Sequence, residues 1–521
     1  MNMWRWPMLP VLLVLLLAAG GARAGDIVVP RDFFSAGAGT DLREALPHLE
    51  NKALVAEFLD PGDSGLGKSL GYLLWRELLT AISDQSGAGV ILARLPGERR
   101  VVDLLRADYH RGAVAIAAGQ RARQLLWGQV LEERGAVFVS AQLTLLPQIM
   151  GEALTLNYVS NLTGDAEITV TVPRTRYNLA LVRTDRTMLF DRPLVTRKTT
   201  RLRAGPRRDA SVLASVPKGR VLQATDMAGA WFAVRRPDGG DGPAYVDNAD
   251  VDVPPRSVES DARELNLRAG PGTDNVVLRK VDLDGSYRVL DMRYRSGQGL
   301  WYRIALPAGD GWVFATLVRP RFSLPAVHLA AGLIRLQAKR YDAAVREFAQ
   351  FIADPAVAQS NVDLAAAHRL LAISLSQVRR GLPQSVWRFV GRVAALPQAD
   401  GSRYRKDLAM SAADQAVAYT PYDPAAYTLR AFAQVWTRRD LDLALKDLDQ
   451  ALDLDRRDAE ARAMVVSLDR IVRFTDELRP QLEREGRAGG LLAVSPALRQ
   501  GLAETRELYA IGAREPRRRE R

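Results

Sequence analysis

The chain has 521 residues, 25% of them charged, with a formal net charge of +12. That length supports three or four domains, each with its own core, and the basic balance favours anionic neighbours such as phospholipid headgroups, acidic proteins or wall polymers. Cysteine is absent, which excludes disulfides, thiol catalysis, cysteine-ligated zinc and lipoprotein acylation.

The first segment has the layout of an export signal. Arg5 lies in a short polar start, Leu9 to Ala19 is an apolar run, and Ala22-Arg23-Ala24 places small residues at the cleavage positions. The run is too short for the ~20 residues a spanning helix needs. Residues 1–24 are therefore expected to be a cleavable signal peptide and the mature chain to be periplasmic, with no transmembrane segment after cleavage. Retention of this segment as an anchor is the alternative.

Residues 26–192 alternate between strand and helix patterns. Ala53 to Leu59 predicts a strand, Leu70 to Ser83 a helix with Leu70, Leu73, Leu74, Leu78 and Ile82 on one face, and Val90 to Ala93 a second strand. Helical pattern returns at Val101–Arg106 and Ala113–Arg123. Leu125 to Val130 and Ala136 to Leu145 predict a strand pair, and Leu154–Val159 with Glu167–Val172 predict two more strands that extend the same sheet. This succession over roughly 50–147 resembles the TolB N-terminal-like family, shared with curli-secretion and flagellar-ring accessory proteins. The resemblance implies a non-catalytic interaction module of the bacterial envelope.

Gly62-Asp63-Ser64-Gly65-Leu66-Gly67-Lys68-Ser69 fits the phosphate-binding loop pattern, with a strand before it and a helix after. Gly62, Gly67, Lys68 and Ser69 would then cradle nucleotide phosphates. No later strand ends in an evident magnesium-holding acid, and a glycine-rich strand-to-helix turn uses the same residues for tight connection alone.

A five-residue phrase occurs twice. Leu202-Arg203-Ala204-Gly205-Pro206 returns 65 positions later as Leu267-Arg268-Ala269-Gly270-Pro271. Each copy continues into an aromatic strand (from Trp231; from Trp301-Tyr302) and a closing aromatic strand (Tyr245-Val246; Trp312-Val313). A period this long marks a duplicated small domain, and short strands with no helical period between them predict a small barrel for each copy. Gly-Pro is expected to make the reversal, with the glycine free to take positive φ. Asn266 to Gly272 with Leu300 to Ile304 and Asp310 to Val313 resembles the bacterial SH3 family, and so does the first copy, with Tyr245 where the closing Trp stands in the second. The resemblance implies binding, to cell-wall peptide or to protein, by barrels over 194–253 and 259–320. Trp231, Tyr245, Trp301, Tyr302 and Trp312 either pack the barrels or line a groove for a peptide or glycan. The second copy, with the fuller pattern, is expected to be the binder.

From Pro325 the period becomes helical. Gly332, Tyr341, Ala344 and Phe348 stand at the offsets of a tetratricopeptide repeat, in which small residues let two helices approach and an aromatic fills the gap. A second pair is predicted over Asp363–Leu396, and a third over Ala425–Asp455 with Ala431, Leu441, Ala444, Leu448 and Ala451. Residues 325–480 thus resemble the tetratricopeptide family, which implies a stack with a concave face for a partner's peptide or helix. A helical, basic tail (481–521) follows.

Chemistry is not evident. His48, His110, His328 and His368 have no metal-ligand spacing, and no Gly-x-Ser-x-Gly elbow is present. No cofactor, metal or nucleic acid is expected. The reading is a multidomain α+β chain: a non-catalytic periplasmic adaptor for protein partners of an envelope assembly. Its alternatives are a peptidoglycan-binding envelope protein and a nucleotide-binding enzyme using Gly62–Ser69.

Overall fold

The computed structural model describes residues 51–82, 88–93, 117, 122–146, 154–160, 164–170, 176–179, 181–260, 263–283, 285–378, 381–437, 440–485 and 494–511. The expected signal peptide, the helical pattern at Val101–Arg106, most of Ala113–Arg123, His48, His110 and the basic run from Arg514 lie outside these residues. Among the described residues no helix is long and apolar enough to cross a membrane.

The first unit is a mixed sheet. β1 (Asn51–Ala56) runs parallel to both β2 (Ala88–Ala93) and β3 (Gln124–Glu133), and β3 turns into antiparallel β4 (Ala136–Leu145). Helix α1 (Leu66–Ala81) buries Leu70, Leu73, Leu74 and Leu78 completely, the face read from its period. The sheet is not extended by β5 (Leu154–Ser160) and β6 (Gly164–Val170), which among the described residues pair with each other as a separate two-stranded sheet. The short strands β7 (Arg176–Asn178) and β8 (Val182–Thr184) pair with β4 instead. Helix α2 (Arg186–Phe190) leads out of this unit, N-capped by Asp185.

Two sheets of identical topology follow. The first contains β9 (Arg192–Thr196), β10 (Thr200–Arg203), β11 (Val212–Val216), β12 (Val221–Ala228), β13 (Trp231–Val234), β14 (Ala244–Asp247) and β15 (Val251–Asp252). The second contains β16 (Ser257–Glu259), β17 (Leu265–Arg268), β18 (Val277–Val281), β19 (Ser286–Arg295), β20 (Gly299–Ile304), β21 (Gly311–Phe314) and β22 (Arg319–Arg321). Their orders, β11-β10-β14-β13-β12-β9-β15 and β18-β17-β21-β20-β19-β16-β22, correspond strand for strand. Even the register slips correspond: Leu202/Arg203 and Ala224/Asp226 in the first, Leu267/Arg268 and Val289/Asp291 in the second. The duplication read from the repeated phrase is therefore a duplication of fold.

Two expectations change. Each hydrogen-bonded path has two free ends, so these are curled sheets with edges and not closed barrels. Neither Gly205 nor Gly270 takes a positive φ. The arginine of each phrase does the local work: Arg203 Nη1 donates to the Ala210 carbonyl at 2.8 Å, and Arg268 Nη1 to the Asn275 carbonyl at 2.7 Å. Each guanidinium thereby clips the loop that follows it.

The C-terminal part is helical. α3 (Ala326–Gln337) and α4 (Tyr341–Ile352) form a hairpin in which Gly332 lies against the Phe348 ring, as the offsets require. α5 (Asn361–Gln377) does not pair with α6 (Gln384–Val393), contrary to the expected second pair; it packs on α4 and on α7 (Arg405–Tyr419), while α6 folds aside against α4. α8 (Pro424–Thr437) and α9 (Leu441–Leu454) make the next hairpin, burying Ala431, Leu441, Ala444, Leu448 and Ala451. α10 (Ala459–Arg484) and α11 (Pro496–Leu508) complete the stack.

These parts share one core. A single cluster of buried side chains runs from the first sheet and α1 through the first duplicated sheet into the helices, while the second sheet keeps a cluster of its own around Leu267, Tyr302 and Val313. Gln124 Nε2 donates to the Ala330 carbonyl at 2.9 Å, and the Arg335 guanidinium reaches the Ala81 carbonyl at the end of α1.

Candidate functional site: a cleft on the second duplicated sheet

β20 sets the site by simple alternation. Successive side chains on a strand face opposite ways, so Trp301 and Tyr302 cannot serve the same surface. Tyr302 enters the second sheet's core beside Val258, Leu267 and Ile304. Trp301 faces the other way, 3% exposed, with its ring centroid 5.3 Å from that of Phe314 on β21. Its indole N–H is buried with no hydrogen-bond partner among the described residues. A buried donor left unmatched costs about 1–3 kcal/mol, so such a group marks a place where an acceptor is missing.

Trp301 and Phe314 form the floor of a cleft of about 580 Å³, within the ~300–1,000 Å³ typical of small-ligand sites. One wall is the loop after β17, clipped by Arg268. Another is the β19–β20 turn, where Gln298 Oε1 accepts from the Thr273 amide at 2.8 Å and ties the two walls together. The third comes from outside the sheet: Pro383, Gln384, Ser385 and Arg388 at the start of α6. That helix begins at Pro383 with no side-chain cap and no acidic residue in its first turn. Its first amides are left without intrahelical partners, and its dipole places partial positive charge at the cleft.

The cleft is cationic. Arg263, Arg268 and Arg388 line it against one carboxylate, Glu264, which lies 3.5 Å from Lys280. Arg263 is exposed and Arg388 half-buried. Neither makes an ion pair or hydrogen bond among the described residues, whereas Arg268 spends Nη1 on the Thr273 and Asn275 carbonyls.

The same face of the first sheet is covered. Its β12–β13 turn and the short 3₁₀ turn Asn248–Asp250, the counterparts of two cleft elements in the second copy, receive α1. The Gly229 amide donates to Ser69 Oγ at 2.9 Å. Arg76 donates to Asn248 through Nη2 to the carbonyl (2.6 Å) and through Nε to Oδ1 (2.7 Å). Thr80 Oγ1 donates to the Val253 carbonyl at 3.0 Å. One copy thus uses this face to hold α1, and the other leaves it as a cleft that α6 walls on one side.

The remaining expected residues are not gathered into one place. Trp312 is buried on β21, paired in register with Arg268 and Arg303. Trp231 is buried in the first copy and Tyr245 half-buried beside it, paired with Arg203 and Ala233. In the Gly62–Ser69 loop, Asp60 lies where a phosphate would be cradled: its carboxylate accepts from the Gly67 amide at 3.3 Å and from Ser64 Oγ at 3.0 Å. Ser69 is engaged with the first duplicated sheet, and Lys68 is exposed with its stem over Gly229.

Of the histidines, His328 Nδ1 lies 2.8 Å from Glu347 Oε2 in a buried pair. Burial pushes the Glu347 carboxyl up, but the His328 hydrogen bond and nearby Arg335 outweigh it and hold it below its ordinary range. Among the described residues no group of acidic and histidine side chains could hold a metal ion.

Phe314, Gln298, Arg263 and Arg388 did not emerge from sequence reasoning. Phe314 had a weak signal, following directly on Trp312-Val313; Arg388 had none, because α6 reaches the cleft only through the tertiary fold.

Among solved structures, the chain is similar to NlpC2 and NlpC1 from Trichomonas vaginalis, at 13% and 14% identity, each with a TM-score of 0.14. The matches cover 26% and 25% of this chain and 49% and 45% of theirs, so the chain spans just under half the length of each. No curated protein matches. Residues 198–252, the first duplicated sheet, match the bacterial SH3 domain family.

Proposed function

We propose that this chain is a non-catalytic scaffold of the bacterial cell envelope that grips wall peptide through the second of its two SH3-like units. The observation that carries the reading is the asymmetry of the pair. The first copy, which matches the bacterial SH3 family, has its loop face covered by α1. The second, of identical strand order, keeps a cationic cleft floored by Trp301 and Phe314. Bacterial SH3 domains occur in extracellular and envelope proteins, which supports a wall ligand and an exported chain. The α/β unit and the helical hairpins serve as the interaction modules that TolB-like and tetratricopeptide resemblances imply, with the helices receiving a protein partner. In this reading no bond is made or broken, and no cofactor is needed.

Co-sedimentation of the full chain with purified peptidoglycan sacculi tests it. The chain is expected to pellet with sacculi, and Phe314→Ala or Gln298→Ala to lower the bound fraction several-fold without changing the far-UV spectrum. A chain that stays in the supernatant at every sacculus concentration overturns wall binding.

A further inference from the structure

Resting on that reading, we propose that the cleft at Trp301 recognises the end of a peptide chain, a free carboxylate, and that the recognising groups come from two separate parts of the fold. Four observations converge on an anion. Trp301 is 97% buried and its indole N–H has no hydrogen-bond partner among the described residues. Helix α6, ten residues long, presents its uncapped N-terminus as one wall. Arg388, one turn into that helix, is half-buried and makes no ion pair among the described residues. Arg263, exposed, lines the cleft as a second cation with no ion pair among the described residues.

Each group is a donor, and together they exceed what a neutral peptide segment can satisfy. Backbone carbonyls would match the indole N–H but leave Arg388 and the helix terminus facing a neutral ligand. A carboxylate accepts several hydrogen bonds at once, and charge-assisted bonds are about twice as strong as neutral ones. A helix N-terminus alone would make a weak case, since every helix has one. Here the orphan indole stands on a different element, β20, and α6 reaches the cleft only because it leaves the helical stack to fold aside.

The division of labour follows. Trp301, Phe314 and the loop clipped by Arg268 shape the floor and one wall, and α6 with Arg388 reads the charge. Either part alone is incomplete. The isolated second sheet should therefore lose preference for a free terminus, because Pro383–Arg388 are missing from it.

The test uses the full chain and two pairs of short alanine peptides in calorimetric titration. Within each pair one member ends in a free carboxylate and the other in a carboxamide. One pair ends in D-alanine, as wall stem peptides do, and the other in L-alanine, as a protein terminus would. The acid is expected to bind at least about tenfold more tightly than the amide, and Arg388→Gln to abolish the difference while leaving the thermal midpoint in place. Whichever enantiomeric pair binds identifies the source, wall or protein. Equal affinity for acid and amide overturns the carboxylate assignment while wall binding stands. No binding of any peptide, with sacculus binding intact, also overturns it, and loss of both refutes the underlying reading. Trp301→Phe, which removes the indole N–H together with the five-membered part of the ring, should weaken the acid more than the amide, whereas the volume it removes is the same for both peptides.

Discussion

Glu77 on α1 and Arg192 at the start of β9 meet at 2.5 Å with neither side chain exposed. Ser323, on the link between the second sheet and the helices, closes the node. Its amide donates to Glu77 Oε2 at 3.0 Å and its hydroxyl to Oε1 at 2.8 Å, while Arg192 Nη2 donates to the Leu189 carbonyl at 2.6 Å. Three segments far apart in sequence are pinned at one buried charge pair. Removing one partner of such a pair leaves an uncompensated charge, at a cost of about 3–5 kcal/mol. Glu77→Gln or Arg192→Met should therefore lower the unfolding free energy obtained from urea titration by about that amount. Tryptophan fluorescence and far-UV dichroism should shift together, because the node joins sheets to helices. A loss below about 1 kcal/mol would show the node to be dispensable. The double variant Glu77→Leu/Arg192→Met should recover much of the loss.

Gly332 permits the first helical hairpin to close. A Cβ built there would lie 2.5 Å from the Phe348 ring, which is fully buried and has nowhere to go. Gly332→Ala should cost about 1–3 kcal/mol by overpacking, in spite of alanine's better helix propensity. Trimming the ring in Gly332→Ala/Phe348→Leu should return part of it. Calorimetric midpoints of the three chains decide this.

What the sequence showed and what it concealed divide along one line. Features carried by local spacing were legible: the repeated Leu-Arg-Ala-Gly-Pro phrase announced two sheets of one topology, and Gly332 with Phe348 announced a hairpin. Alternation on β20 separates Trp301 from Tyr302, but a pattern of strands does not say which face meets solvent. Features carried by long-range contact were not legible. Asp363–Leu396 is helical as read, yet period alone cannot say that α5 skips α6 to pack on α7. The apolar face of α1 was legible, but nothing in its spacing says that Arg192 of the next unit buries Glu77. The cleft was half legible for the same reason: Trp301 lies in a recognisable strand, whereas Arg388 comes from a helix with no sequence relation to it.

His368 gives the fold a pH dependence. It is 1% exposed on α5, its ring stacked on Tyr419 of α7 at 5.6 Å, and its Nδ1 has no hydrogen-bond partner among the described residues. Burial pushes its pKa down from 6.5 to about 4. The unfolded chain then binds a proton in a range where the folded chain does not, so stability rises with pH across that range. The contribution of His368 is constant above about pH 7 and is lost from pH 6.5 toward 4, by up to about 3 kcal/mol. His368→Gln should flatten that segment of a stability–pH curve measured by urea unfolding. An unchanged slope would assign the acid sensitivity to other groups.

The loop Gly62–Ser69 offers a direct contest between chemistry and packing. If it cradled a nucleotide, Lys68 would carry the function and Ser69 would face magnesium. The geometry gives each a different task. Asp60 already accepts from the Gly67 amide, and a carboxylate there repels phosphate. A Cβ at Gly67 would lie 2.1 Å from the Phe58 carbonyl, so this glycine is needed for the close strand–helix approach with or without a ligand. Ser69 joins α1 to the Gly229 turn of the first SH3-like unit, while Lys68, exposed, lies over the same turn. Ser69→Ala should accordingly cost about 1 kcal/mol by stranding the Gly229 amide, and Lys68→Ala should stay within about 0.5 kcal/mol of the parent. Titration with ATP and magnesium should give no saturable heat in either chain. Micromolar nucleotide binding that disappears in Lys68→Ala would reverse the assignment and make the first unit an enzyme's phosphate site.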